Sequence, residues 1–376
     1  MTTRGSFFSS IAGNVIVAIG RAPICLQAQQ LLDQRDMKRS LGHRSIKSIY
    51  TLAIIMCISM AGSITAQETA APSTVMNGKI AFSRVSYSSP LGYKRIFVMN
   101  PDGSGQIRVG NSIATLGEEY PIWSPDGSKI AFVGRDKHRR NNIFVMDADG
   151  SNQIALTNNP DGIMDSFPDW SPDGGKIAFT RFDNLAPYRS QIYVMNADGS
   201  NQVCLTNSVD AFYSQPKWSP DGTRISYSHL RAACRRDDGS GYSEIYVMNS
   251  DGSNQVSLTN SSAQTRNYWS VWSPDGGTIA FCRYGIGPSN DVVRGVYLMN
   301  SDGSNLRLLK AGGEYPVWSP DGTKIGYTSY VSGGATIHVM NADGSNDVAL
   351  TLNTSGSYPS SWQALLGPPR RMPNGQ

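Results

Sequence analysis

The sequence predicts an all-β chain folded as a six-bladed β-propeller, closed by pairing of N-terminal strands with a C-terminal strand. Three observations carry that expectation. The pentapeptide Trp-Ser-Pro-Asp-Gly occurs five times, at Trp123–Gly127, Trp170–Gly174, Trp218–Gly222, Trp272–Gly276 and Trp318–Gly322, and Trp362 follows without the tail. Successive tryptophans lie 47, 48, 54, 46 and 44 residues apart, a period that suits four-stranded propeller blades. The 376 residues include 38 Gly and 20 Pro with 39% hydrophobic content, a turn-rich composition with material for a core.

Each repeat divides into four runs, a to d. Run a ends in Pro-x-Trp-Ser, as at Pro121–Ser124, and the Pro-Asp-Gly turn follows. Pro sets φ at the first turn position, Asp bonds nearby amides, and Gly accepts positive φ. Run b is Lys129-Ile130-Ala131-Phe132 and its relatives, the first at Lys79–Phe82 and the last at Lys324–Tyr327. Its third residue is always small (Ala81, Ala131, Ala178, Ser226, Ala280, Gly326), leaving room for a bulky side chain from the next blade, with the repeated Trp the obvious occupant. Run c is Ile143–Met146 and its relatives. Runs b and c are apolar at consecutive positions, as expected of strands covered on both faces. The turn Asn-Ala-Asp-Gly-Ser-Asn leads to the short run d. Asp147–Asn152 shares residues with a calcium loop, but without its closing acidic residue it reads as a hairpin turn.

Run b appears six times from Lys79, and run a six times from Trp123 to Trp362. The N-terminal b, c and d runs therefore need run a of Pro359–Gln363, and that pairing removes exposed edges. The expected division is a leader over 1–66, a linker over 67–76, the propeller over 77–363 and a flexible tail over 364–376.

Within the leader, Met37–Lys47 is basic, Ile49–Ala61 is apolar, and Ile64-Thr65-Ala66 ends in a small residue. That order predicts a secretory signal cleaved before Gln67, with Met37 as the true start and no stable membrane span after cleavage. Seven of the basic residues and two of the acidic ones fall in 1–66, leaving 26 basic and 27 acidic residues beyond it. The remainder lacks the basic footprint of a nucleic-acid binder. Cys204, Cys234 and Cys282 fall on three different repeats and are odd in number, which argues against a disulfide framework.

The run Pro-x-Trp-Ser-Pro-Asp-Gly-x-Lys-Ile-Ala-Phe, followed by Ile-Tyr-Val-Met-Asn-Ala-Asp-Gly-Ser-Asn, resembles the WD-like propeller repeat of the TolB family over residues 77–363. The resemblance implies a periplasmic or secreted six-bladed propeller used for protein contacts, here without the α/β domain that precedes the propeller in TolB. Related propellers also precede hydrolase domains, and others act as pectin-fragment lyases through clustered histidines on a metal.

No catalytic constellation is visible. There is no Gly-x-Ser-x-Gly elbow. His138 and His229 lack metal-ligand spacing, and His338 takes a run c site that suits packing. No metal and no cofactor are expected. The a–b and c–d turns share one rim and barely vary, whereas the d–a and b–c connections on the opposite rim vary in length and composition, as binding loops do. The candidate binding set lies just before run a: Glu119, Tyr120, Asp165, Phe167, Asp210, Tyr213, Tyr268, Trp269, Glu314, Tyr315 and Tyr358. Farther out, the b–c loops carry Arg135, Lys137, Arg139, Arg140, Arg231, Arg235, Arg236 and Arg283. The expected function is a monomeric, non-catalytic scaffold docking a protein or cell-envelope component, since aromatics and Arg dominate interface hot spots. The alternative is a propeller that binds or cleaves carbohydrate, its acidic pairs serving glycoside chemistry.

Overall fold

The structure, a computed structural model, describes residues 75–85, 93–110, 116–185, 188–208, 211–231, 242–261, 265–286, 292–331, 334–351 and 356–366. All of them fall in one compact unit, Ala71–Gln376. The leader, its expected cleavage site and Asp210 lie outside the described residues, as do Cys234, Arg235 and Arg236.

The described residues form 24 strands and no helix. The first three are β1 (Val75–Val85), β2 (Lys94–Met99) and β3 (Ile107–Arg108). Next come β4 (Gly117–Trp123), β5 (Lys129–Arg135), β6 (Asn141–Asp147) and β7 (Ile154–Ala155). The third group is β8 (Ile163–Trp170), β9 (Lys176–Asp183), β10 (Arg189–Asn196) and β11 (Val203–Cys204). The fourth is β12 (Ala211–Trp218), β13 (Arg224–Arg231), β14 (Ser243–Asn249) and β15 (Val256–Ser257). The fifth is β16 (Thr265–Trp272), β17 (Thr278–Ile286), β18 (Val292–Asn300) and β19 (Arg307–Ala311). Last are β20 (Gly313–Trp318), β21 (Lys324–Val331), β22 (Gly334–Asn341), β23 (Val348–Ala349) and β24 (Ser357–Leu366). Each group is an antiparallel meander, and single parallel pairings, Ser190 with Phe212 and Ser243 with Arg266, join the third, fourth and fifth groups. This is an all-β, propeller-type fold.

Strand β24 pairs antiparallel with β1, Trp362 opposite Ile80 and Ser361 opposite Ala81. It completes a four-stranded sheet with β1, β2 and β3. The pairing runs on to Val75 opposite Leu366, so Ala364–Leu366, expected as the start of a loose tail, are ladder residues, and Val75 and Met76, expected as linker, are their partners.

The core lies between the sheets. Ala81 packs with Trp123, Ile130 and Met146 of the next group. Ala131 does the same with Trp170 and Ile177, and Ala178 with Trp218 and Ile225. Ala280 packs in the same way with Trp318, so in these four b strands the small third residue is the seat of the following Trp, as its size requires. Five of the six repeated indoles are at most 8% exposed; Trp318 is more open. Burying an aromatic side chain of this size contributes several kcal/mol, on the order of 25 cal/mol per Å² removed from water.

The turns are built by their own side chains. In the first Trp-Ser-Pro-Asp-Gly, Ser124 Oγ donates to Asp126 Oδ1 (2.6 Å) and accepts from Lys129 N (2.9 Å). Gly127 takes a φ of 69°. In the c–d turns Ser151 N and Oγ both donate to Asp149 Oδ1, at 2.9 and 2.6 Å, and Asn152 adopts a φ of 51°. These carboxylates are occupied by their own loops, the chemistry of a hairpin turn.

Candidate functional site

The innermost strands are bulged at one recurrent place. Pairing slips between Glu119 and Ile122, Ser166 and Asp169, Ser214 and Lys217, Tyr268 and Val271, and Glu314 and Val317. At each bulge the residue three before the repeated Trp is left-handed: Tyr120 (φ 54°), Phe167 (54°), Gln215 (59°), Trp269 (56°) and Tyr315 (55°). Bulky side chains rarely adopt this backbone, which costs on the order of 1 kcal/mol or more each and persists only where surroundings enforce it. The enforcing contacts come largely from polar side chains of neighbouring groups. Tyr120 N donates to Ser83 Oγ (3.2 Å), Gln215 N to Thr180 Oγ1 (3.0 Å) and Tyr315 N to Cys282 Sγ (3.0 Å). Trp269 N donates to Gln215 Oε1 (3.0 Å), which is itself held by Ser228 Oγ (3.0 Å). Burial raises the Cys282 thiol well above its ordinary value, so it serves here as a neutral acceptor.

The bulges aim their rings at one place. Tyr120 meets Phe167 with centroids 4.5 Å apart, and Trp269 lies 5.8 Å from each. Tyr315 follows at 5.0 Å from Trp269, edge to face, and Tyr358 at 5.8 Å from Tyr315. Such tilted and edge-on pairs are favourable by roughly 0.5–1.5 kcal/mol beyond their buried area. Above the rings a cavity of about 130 Å³ is lined by Lys94, Tyr120, Trp269, Tyr315, Tyr330 and Tyr358, with Ser83, Pro359 and Ser360. The Lys94 ammonium stands 4.9 Å from the Tyr358 ring and 5.9 Å from that of Tyr120. Burial raises the phenols of Tyr120 and Tyr330 and pushes that of Tyr315 up to about 12, so all three are neutral at physiological pH.

The described acidic residues of the sequence-derived set, Asp165, Glu314 and Glu119, are paired with cations. Asp165 is fully buried and takes both oxygens to Arg181, Nε at 2.7 Å and Nη2 at 2.8 Å. The Arg181 guanidinium also lies 4.7 Å from the Tyr193 ring. Glu314, 7% exposed, accepts from Arg294 Nε at 2.8 Å, and Glu119 pairs with Lys94 at 3.2 Å. Tyr213 sits apart from the central rings, 4.8 Å from His229 and 5.8 Å from Tyr227. Tyr268 precedes the bulged Trp269, and burial raises its phenol. Lys94, Tyr330 and the amide anchors Ser83, Thr180 and Cys282 are the participants that sequence reasoning missed. The anchors follow the small residue of strand b by two positions, a phase that could have marked them.

On the basic periphery, Arg140 pairs with Asp136 at 2.7 Å, and Lys137, His138 and Arg139 are exposed at the β5–β6 turn. His338 is not among the residues that line this cavity. Its Nδ1 is 3.0 Å from Asp347, which also accepts from Tyr327 Oη and Lys310 Nζ, both at 2.6 Å.

Solved structures share this fold at low sequence identity. TolB from Acinetobacter baumannii aligns with a TM-score of 0.61 at 21% identity, over 76% of this chain and 66% of that one. A putative TolB from Agrobacterium tumefaciens aligns at 0.52 and 18%, over 77% and 99%. Hydrazine synthase of Kuenenia stuttgartiensis aligns at 0.60 and 17%, over 79% of this chain and 48% of that one, so the present chain spans about half of its length. No curated protein sequence matches. The model of the TolB beta propeller domain matches residues 84–236, 133–315 and 188–365 in overlapping copies. With that match running from the end of β1 to β24, the chain belongs to the TolB β-propeller family.

Proposed function

We propose that the chain is an exported, non-catalytic scaffold: a closed six-bladed propeller that docks a protein or envelope component on its variable rim. The observation that carries this reading is the convergence of Tyr120, Phe167, Trp269, Tyr315 and Tyr358 on one mouth, aimed there mainly by strained bulges. Strain held in place by dedicated anchors is spent on presenting side chains, and aromatic rings beside a cation are the currency of hot spots. The non-catalytic part is supported by chemistry. The neighbouring carboxylates Asp165, Glu119 and Glu314 face cations, and the phenols of Tyr120, Tyr315 and Tyr330 keep their protons, which leaves little for acid–base work near neutral pH. The carbohydrate-cleaving alternative loses support for the same reason. Ring closure is supported by the β24–β1 ladder and by a core in which Ile337 and Val339 of β22 meet Ile80, Phe82 and Trp362. Export rests on the leader, with the mature chain starting near Gln67.

The test is site-specific photo-crosslinking in envelope extracts. A crosslinker replacing Tyr358 should trap a discrete partner, and one replacing Ser151 on the opposite rim should not. Lys94→Ala should reduce the yield at position 358 with an unchanged melting temperature. A partner trapped from position 151 and not from 358 would place docking on the wrong rim.

A further inference from the structure

Among the five Trp-Ser-Pro-Asp-Gly repeats, the rim of a–b and c–d turns departs from its pattern at the junction of the fifth and sixth groups. At the start of strand b the other repeats carry Lys79, Lys129, Lys176, Arg224 and Lys324, whereas the fifth carries Thr278. At the first residue of strand d the others carry Ile107, Ile154, Val203, Val256 and Val348, whereas the fifth carries Arg307. Both departures line one groove of about 560 Å³, with Trp318, Pro274, Leu298, Asp275 and Asp321. The volume lies within the usual ~300–1,000 Å³ of small-ligand sites.

The neighbouring junction shows what the departures change. There the Arg224 guanidinium covers the next tryptophan, 4.7 Å from the Trp272 ring, and Trp272 is 7% exposed. Thr278 is too short to cover Trp318, which is the one repeated tryptophan that is not buried; Pro274 is likewise more exposed than the corresponding prolines. Arg307 is exposed, and no carboxylate pairs with it among the described residues. Each carboxylate holds its own turn and keeps part of its acceptor capacity. Ser273 Oγ and Gly277 N donate to Asp275 Oδ1, at 2.5 and 2.9 Å. Asp321 Oδ1 accepts from Ser319 Oγ (2.6 Å), Thr323 N (3.0 Å) and Thr323 Oγ1 (2.9 Å). Among the described residues its Oδ2 takes a single bond, from Asn77 Nδ2 at 2.9 Å. The Ser273 hydroxyl, with the Gly277 amide, holds Asp275 below its ordinary value, so it is ionised at neutral pH.

We propose that this groove is a binding site for a neutral pyranose ring of a glycan, with Trp318 and Pro274 as the apolar floor and Arg307, Asp275 and Asp321 as hydrogen-bonding walls. The lining selects that class by elimination. A polyanion meets two carboxylates, and a polycation meets Arg307. A purely apolar ligand would desolvate the Arg307 guanidinium without offering it a partner. A pyranose offers an apolar face for the indole and equatorial hydroxyls that both donate to Asp and accept from Arg. The site lies on the rim opposite the aromatic mouth and does not depend on it.

Cellohexaose, maltohexaose and chitohexaose serve as probes in saturation-transfer NMR and calorimetry, with hexalysine and hexagalacturonate as charged comparators. At least one neutral hexasaccharide should bind. The double variant Thr278→Lys/Arg307→Val restores residues that the sister repeats carry and should therefore fold. It should weaken binding by about tenfold or more, the loss expected for one charged hydrogen-bond partner. Failure of all three neutral probes, binding of a charged comparator alone, or undiminished binding by a folded double variant would each overturn the assignment.

Discussion

Replacing Trp362 by alanine is the sharpest probe of how the molecule is held together. Its indole is 7% exposed and packs with Ile80, Phe82, Met99, Ile337 and Val339, and Nε1 donates to Gly78 O at 2.9 Å. Truncating a buried Trp removes ~3–5 kcal/mol, and the lost hydrogen bond adds about 1 kcal/mol. The expected loss of about 4–6 kcal/mol is a large part of a domain stability of ~5–15 kcal/mol. Trp362→Phe keeps most of the ring and loses the bond, so about 1–2 kcal/mol is expected and the variant should remain folded. Trp318→Ala is the internal standard: same chemistry, less burial, and a loss of about 2–3 kcal/mol. Urea titrations followed by circular dichroism give the midpoints, with m-values reporting whether the unfolding unit is unchanged. If Trp362→Ala costs no more than Trp318→Ala, the C-terminal strand is not a structural member of the ring, and the closure argument fails.

Thr180→Val removes the acceptor for Gln215 N while keeping side-chain shape. It should cost about 1–3 kcal/mol as an unsatisfied buried amide, visible as a lower urea midpoint, and an unchanged midpoint would mean the bulge needs no anchor. Acid should unfold the protein through its turn carboxylates. The Ser124, Ser171, Ser219 and Ser273 hydroxyls hold Asp126, Asp173, Asp221 and Asp275 below their ordinary values. A depressed folded value gives stability that is present above the unfolded value of about 3.9 and lost as pH falls through the folded one. Melting temperature should therefore contain a falling limb below about pH 4 that is reduced in Asp126→Asn/Asp173→Asn. An acid limb identical to wild type in that variant would remove these turns from the account.

The repeat was readable because its turn chemistry is local. Ser-Pro-Asp-Gly specifies its own hydrogen bonds, and the small residue of strand b announces the indole that must sit on it. The pairing of Pro359–Gln363 with the N-terminal strands followed from counting runs. The bulges were not readable, since Tyr120, Phe167, Gln215, Trp269 and Tyr315 carry none of the Gly or Asn signals of a left-handed backbone. Position relative to Trp would have sorted most of the aromatics. Tyr120, Phe167, Trp269 and Tyr315, three before Trp, turn to the centre, whereas Tyr213, five before Trp218, packs on His229; Tyr358, four before Trp362, joins the central rings outside that rule. Asp165 and Arg181 stand directly opposite across β8 and β9, so their pairing could have been inferred from register. The pairing of Lys94 with Glu119 crosses between sheets, and no local pattern encodes it.

The bulge has a consequence for how such a chain can change. At four of the five bulges the backbone amide is held by a neighbour, by the hydroxyls of Ser83 and Thr180, the thiol of Cys282 and the amide oxygen of Gln215, and not by the side chain at its own position. Five inner strands thus hold five positions of one geometry, presently occupied by Tyr, Phe, Gln, Trp and Tyr, of which Gln215 also anchors the bulge of Trp269. Substitution at Tyr120, Phe167, Trp269 or Tyr315 changes the surface that the rings present while the tryptophan-filled joints behind it stay as they are. Duplication of a repeat supplies the frame, and single replacements three residues before its tryptophan change what the frame displays.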